Sequence, residues 1–304
     1  MSFQLKSYLE ERRRMVDRAL EECFVEAQGP TGDVLNAMTY SVFAGGKRLR
    51  PILCLAGAEA VEGDERGVLP VACALELIHT YSLIHDDLPA MDDDELRRGK
   101  PTSHKVFGEA MALLAGDGLL TEAFRILADM KPPKGSDTGL ILRVIGAVAE
   151  AAGYRGMIGG QAADIQAEGR SDREGKPPDK AMVEFIHEHK TADLITVSTV
   201  SGATVCGADE HDLAALNGYG RAIGLAFQIS DDILNIEGDS RDLGKGVGSD
   251  AQRGKLTYPA VFGLQESKRI QRELVSRALD SLEGLGSPAD PLRAIAAYVI
   301  ERKK

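Results

Sequence analysis

Two places in the 304-residue chain set carboxylates at spacings that suit metal chemistry. The first, HTYSLIHDDLPAMDDDELRRGKPTSH from His79 to His104, holds Asp86 and Asp87, then Asp92, Asp93 and Asp94, then Arg97 and Arg98. Carboxylates packed this closely repel one another unless a cation sits between them, and hard oxygen ligands suit magnesium, which commonly bridges one or two carboxylates to substrate phosphates. On a straight helix Asp86 and Asp92 would point about 240° apart, so the helix must end or kink near Pro89 for both to serve one site. A solvated acidic helix end is the plainer reading of any acid run. It loses weight because an apolar helical face leads directly into the acids, and does so again in FQISDDILNIEGD, Phe227 to Asp239. There Asp231 and Asn235 are one turn apart on one helix face, Gln228 lies a turn earlier on the same side, and Asp232 is the neighbouring acid.

The positive residues that cluster are equally informative. In AGGKRLRP, Ala44 to Pro51, glycines permit close backbone approach and Lys47, Arg48 and Arg50 supply charge, as a phosphate grip requires; the spacing is not that of a P-loop. Lys190 with Thr191, in HEHKTADL, and Lys245 and Lys255, in the glycine-rich stretch 238–255, extend the anion-binding inventory. Each taken singly reads as a surface lysine. His79 is a candidate phosphate contact because it lies on the helix that delivers Asp86. No histidine forms an HExxH pattern or pairs with cysteine at zinc-ligand spacing, and no GxSxG nucleophile motif occurs.

Helices must position these groups. Aromatic residues make up only 5% of the chain, Trp is absent, and no convincing period-2 stretch appears. Apolar residues recur at helical spacing over residues 33–43, 68–85, 105–130, 140–152, 179–205 and 209–236, with two more helices near 270–285 and 291–302. Breakers at 131–137 and 168–179 mark loops, and neither is a clear linker, so one domain over 1–304 is the simplest account. The stretch 238–255, with five glycines and many charges, is expected to form a mobile lid. A net charge of −11 argues against a general nucleic-acid binder. Cys23, Cys54, Cys73 and Cys206 form no CxxC pair and read as reduced thiols. No apolar run of roughly 18 residues and no signal-like start is found, so no membrane span and a cytoplasmic location are expected.

Taken in order, GGKRLRP, HDDLPAMDDDELRRGKPTSH, the KTA at Lys190, FQISDDILN, GKGVGSDAQRGKLTYPA and the closing AAYVIERKK resemble the motifs of trans-isoprenyl diphosphate synthases of the bacterial farnesyl type, over nearly the whole chain. The resemblance implies an all-α, antiparallel helical bundle around a deep central cavity, commonly a homodimer. It implies that isopentenyl diphosphate is condensed with dimethylallyl or geranyl diphosphate to give farnesyl diphosphate, with Mg²⁺ as cofactor. Asp86 and Asp92 would bind magnesium with Asp87 assisting, and Asp231 would hold a further ion; Asp232 is a weaker candidate. Arg97, Lys190, Thr191, Gln228, Lys245 and Lys255 would surround the allylic diphosphate. Lys47, Arg50, His79 and Arg98 would hold isopentenyl diphosphate, with Arg48 less certain. A geranylgeranyl diphosphate synthase is the nearest alternative. A non-catalytic binding subunit of a heteromeric synthase is the alternative of another class, and the intact first acidic motif speaks against it.

Tyr81 and Ser82 precede Asp86 by five and four residues. At about 1.5 Å rise per residue Tyr81 sits roughly 7.5 Å below the first acid, where a growing chain would point, so its ring is the expected cavity floor. In the family, an aromatic here accompanies fifteen-carbon products. The second motif departs from the family's DDxxD by carrying Asn235 at its last position. An amide oxygen is a weaker magnesium ligand than a carboxylate. Asn235→Asp is therefore expected to lower the magnesium concentration for half-maximal turnover modestly, and superimposable magnesium curves would remove Asn235 from metal binding.

Overall fold

The structure, a computed structural model, describes residues 3–131, 137–168, 180–238 and 254–301. Fourteen α-helices follow one another among these residues: α1 (Leu5–Glu22), α2 (Gly29–Val42), α3 (Leu49–Ala60), α4 (Leu69–Asp86), α5 (Ser103–Phe107), α6 (Glu109–Ala128), α7 (Thr138–Ala152), α8 (Met157–Ala167), α9 (Lys180–His187), α10 (Asp193–Val205), α11 (Glu210–Glu237), α12 (Tyr258–Phe262), α13 (Leu264–Ser281) and α14 (Asp290–Glu301). A π-helical turn, Glu188–Ala192, joins α9 to α10. The all-α expectation is met. The one sheet among the described residues is an antiparallel hairpin of β1 (Leu96–Arg97) and β2 (Lys100–Pro101), which pairs Leu96 with Pro101 and Arg97 with Lys100.

Four helices, α1, α3, α8 and α12, lie outside the segments expected from apolar spacing. The helix expected over 105–130 divides at Gly108, whose φ of 85° is a left-handed value that ends α5 before α6 begins. None of the helices of the described residues is long and apolar enough to cross a membrane. The four cysteines are free thiols.

α10 is the central element. Its sequence is apolar or small on all sides, and nearly all of it is buried, packed against α3, α11, α7 and α4. Its buried hydroxyls donate back to the helix's own carbonyls, Ser198 to Leu194 at 2.6 Å and Thr199 to Ile195 at 3.1 Å, so these polar groups enter the core satisfied. Two apolar clusters flank α3 and α10 and share residues of both. One gathers α1, α2, α4, α6 and α7, and the other gathers α11, α13 and α14.

α3 and α10 approach closely because each presents a glycine to the other's backbone. A Cβ on Gly57 would lie 2.0 Å from the Thr199 carbonyl oxygen, and one on Gly202 would lie 2.0 Å from that of Cys54. These are rigid backbone neighbours, so the helices would have to separate. Gly57→Ala and Gly202→Ala are each expected to cost about 1–3 kcal/mol, in the range of core overpacking, seen as a lower urea midpoint; an unshifted midpoint would mean that the α3–α10 spacing is freely adjustable.

Candidate active site

The first acidic motif is built by the end of α4. The helix stops at Asp86, and the chain folds back through Pro89 so that the Asp92 N–H donates to the Asp86 carbonyl oxygen at 2.8 Å. Asp93 takes a left-handed φ of 49° in this turn. The break expected at Pro89 is thus present, and it brings Asp92 beside Asp86 as the straight helix could not. Next comes the β1–β2 hairpin, whose two turn residues, Arg98 (φ 54°) and Gly99 (φ 77°), both have positive φ, as a tight type I′ connection requires. This hairpin presents Arg97 and Arg98 to the same region.

From the other side, the π turn widens the helix at Lys190 and Thr191. Neighbouring helices close on it through glycines. A Cβ on Gly160 of α8 would meet the Lys190 backbone nitrogen at 2.2 Å, and one on Gly224 of α11 would meet the Ala192 Cα at 2.6 Å. α11 then carries Gln228 and Asp231 alongside.

Lys47, Arg50, His79, Tyr81, Ser82, Asp86, Arg97, Arg98, Lys190, Thr191, Gln228 and Asp231 all line one cavity of about 1020 Å³. That size is at the upper end of small-molecule sites, roughly 300–1,000 Å³. Met157, Ile158, Ala162 and Ile165 of α8, with Leu83 and Phe227, give it an apolar wall. Lys245 lies outside the described residues, as does most of the stretch read as a lid.

The charges are matched internally. Asp86 accepts from Gln161 Nε2 at 2.8 Å, Lys190 reaches Asp164 at 2.6 Å, and Lys255 reaches Asp92 at 3.1 Å. Burial holds the Asp86 carboxyl above the usual carboxylate range; Lys190, Arg97 and Lys255 pull it down while Asp92 pushes it up. Asp87 behaves differently from its neighbour. It is 3% exposed and its carboxylate accepts from Arg97, with Nε 2.8 Å from each oxygen and Nη2 2.5 Å from Oδ1. The residue expected to assist a metal thus forms a bidentate pair with Arg97, as a buried carboxylate beside a guanidinium fork does.

Arg48 shows a similar division within the basic motif. It caps α3 in a left-handed conformation (φ 52°) and bonds Asp17 of α1 at 2.8 Å, Glu76 of α4 at 2.7 Å and the Val42 carbonyl of α2 at 2.7 Å. It anchors the loop by these bonds, and Lys47, Arg48 and Arg50 all border the cavity. The Arg50 Nε is buried with no hydrogen-bond partner, and burial lowers its pKa to about 10, with Glu76 and Asp231 acting in the opposite direction. Such a guanidinium lacks an acceptor that a phosphate would supply. His79 is driven well below its ordinary pKa by burial and by Arg50, Arg98, Arg97 and Arg48, so it offers a neutral ring N–H rather than a cation. Arg98 donates to the Gly45 carbonyl, linking the hairpin to the glycine loop.

Gln161, Asp164 and Glu76 were not anticipated. Gln161 and Asp164 are i and i+3 polar residues among Gly159, Gly160, Ala162 and Ala163, a weak signal of a helix face against a site. Glu76 gives no signal, because a lone acid in an apolar helix looks the same whether or not an arginine from another helix meets it. Tyr81 is 5% exposed, forms an edge contact with His85 at 5.7 Å, and His85 Nε2 lies 3.0 Å from the Leu113 carbonyl. The ring is therefore braced from α6. Among the described residues, the tight ligand-like trio Asp209, His211 and Asp212 lies elsewhere, at the start of α11, where Asp209 caps the helix through the Asp212 N–H at 2.9 Å.

A polyprenyl synthetase family model matches residues 33–285. The chain is 45% identical to the farnesyl diphosphate synthase of Geobacillus stearothermophilus, covering 98% of this chain and 96% of that one. It is 43% identical to the geranylgeranyl diphosphate synthase of Cyanophora paradoxa, covering 99% and 97%. The crystal structure of a FPP/GFPP synthase from Zymomonas mobilis superposes with a TM-score of 0.85 at 37% identity, covering 97% of this chain and 98% of that one.

The two arginines of the basic motif should separate stability from binding. Arg48→Met leaves Glu76 buried without its partner and is expected to cost about 3–5 kcal/mol in urea unfolding. Arg50→Met removes a desolvated charge and should leave the midpoint unchanged or higher while abolishing pyrophosphate binding in calorimetry; equal loss of stability in both variants would refute this division.

Proposed function

The chain belongs to the polyprenyl synthetase family as a short-chain trans-prenyl diphosphate synthase, and on that premise we propose that it makes farnesyl diphosphate, condensing isopentenyl diphosphate with dimethylallyl or geranyl diphosphate and releasing diphosphate. The observation that carries this reading is one cavity lined by Asp86 and Asp231 of the two acidic motifs, by two sets of cations and by an apolar wall, with Tyr81 among its lining residues.

Asp86, Asp92 and Asp231 would hold Mg²⁺: all three are hard oxygen donors, Asp92 is close enough to hinder ionisation of Asp86, and Asp86 and Asp231 line the cavity beside groups that suit a diphosphate. A bound divalent ion there would supply positive charge to the departing diphosphate. Lys190, Thr191, Gln228, Arg97 and Lys255 hold the allylic diphosphate and stabilise the charge that develops as its C–O bond breaks, while Lys245 extends this set by resemblance. Lys47, Arg50 and Arg98, with the neutral His79, orient isopentenyl diphosphate so that its double bond meets the allylic cation. A proton is then lost, with the released diphosphate as the expected base. Leu83, Met157, Ile158 and Phe227 exclude water that would otherwise trap the cation as an alcohol. The reading takes the chain as one catalytic domain acting as a cytoplasmic homodimer.

The twenty-carbon product is the second reading, favoured by the near-equal identity to a geranylgeranyl diphosphate synthase. Sizing the products from isopentenyl diphosphate with dimethylallyl, geranyl or farnesyl diphosphate, with magnesium or chelator, separates the two. Magnesium-dependent growth is expected to stop at fifteen carbons, and Tyr81→Ala is expected to extend it to twenty or beyond. Wild-type growth to twenty would move the floor away from Tyr81, and no condensation under any condition would leave only a binding role.

A further inference from the structure

The second aspartate of the second motif does not line the main cavity. Asp232 is 4% exposed and faces an adjoining polar recess of about 110 Å³ that also touches His187, Lys190, Lys255 and Thr257. Its Oδ2 accepts the Tyr258 backbone N–H at 2.9 Å, its Oδ1 accepts Gln228 Nε2 at 3.2 Å, and His187 Nε2 lies 3.3 Å away. The His187 and Tyr258 rings stack at 4.8 Å. Tyr258 is the first residue of α12, and Lys255, three residues earlier, reaches Asp92 in the first acidic motif at 3.1 Å. Three residues span at most about 10 Å of chain. Fixing the Tyr258 nitrogen therefore confines the backbone from which Lys255 crosses the site.

We propose that Asp232 is a positioning residue that ties the backbone at Tyr258 to α11 and thereby holds Lys255 where it meets Asp92 and the allylic diphosphate; this rests on the prenyl-transfer reading. The two aspartates of the motif then divide the work. Asp231 faces the cavity, and Asp232 faces the recess with both oxygens engaged by N–H donors. The arrangement parallels the first motif, in which Asp86 lines the cavity and Asp87 holds Arg97.

A double-mutant cycle on the full-length protein tests this, with the allylic diphosphate varied at saturating isopentenyl diphosphate. Asp232→Ala is expected to lower kcat/KM about 10–100-fold through a raised KM for the allylic diphosphate, leaving the magnesium half-saturation within about twofold. Lys255→Ala should then cost less than about threefold more in the Asp232→Ala background, although it is costly alone. Asp232→Asn keeps a carbonyl acceptor for the Tyr258 N–H and should recover most of the loss. The proposal is overturned if Lys255→Ala costs the same factor in both backgrounds, or if Asp232→Asn raises the magnesium half-saturation as Asp231→Asn does, which would make Asp232 a ligand. If Asp232→Ala does not fold, Asp232→Glu, which displaces the acceptor by one methylene, replaces it in the cycle with the same criterion. If the wild-type protein forms no product, the prenyl-transfer reading itself fails; the cycle is then read as magnesium pyrophosphate affinity by calorimetry, where additivity again overturns the coupling.

Discussion

Charge must be held ready inside an apolar bundle before any substrate arrives, and much of this architecture answers that constraint. A lone ionised group in such a place is strongly disfavoured, so several of the site's ions are paired within the protein, while the Arg50 Nε has no hydrogen-bond partner. Asp87 holds Arg97, Asp164 holds Lys190, Asp92 meets Lys255, and Glu76 holds Arg48. These pairs also fix direction. A carboxylate gripping one side of a guanidinium leaves the rest of that group aimed at the cavity, which reduces the reorganisation needed when a diphosphate binds.

The pairs are possible because backbone irregularities occur where the charges lie. α4 ends at Asp86 and folds back at Pro89, the π turn displaces Lys190 and Thr191, and Arg48, Asp93 and Arg98 all take left-handed conformations. A non-glycine residue in that region is disfavoured on its own, so each is held by its surroundings. For Arg48 those surroundings are hydrogen bonds to three helices; for Arg98, the hairpin turn and the Gly45 carbonyl. Regular helices supply the apolar wall and the depth, and the irregular points supply the chemistry.

The close packing around α10 belongs to the same design. Glycines on α3, α8 and α11 let neighbouring backbones come near, so α10 and the π turn are held on several sides. A loosely packed π turn would let Lys190 swing away from Asp164, and the positive group would no longer have one position. Rigidity at the core thus passes directly to the placement of a functional side chain.

Much of this protein was legible in its sequence. The helical class follows from periodicity, the acids and cations stand out by type and clustering, and Pro89 marks the break that lets Asp86 and Asp92 meet. The order of the motifs carries the family. What the sequence does not contain is which partner each member of a pair meets. Asp86 and Asp87, Asp231 and Asp232, and Arg48 and Arg50 are chemically alike and adjacent, and their roles depend on partners remote in sequence: Arg97 for Asp87, Tyr258 for Asp232, Glu76 for Arg48. The helix α8, with Gln161 and Asp164, was likewise invisible as part of the site, because small residues around two polar ones carry little periodic signal. Sequence determined the inventory and the local geometry, since both depend on residues near in the chain; only tertiary structure decided the assignment, since burial and pairing depend on residues brought together from distant helices.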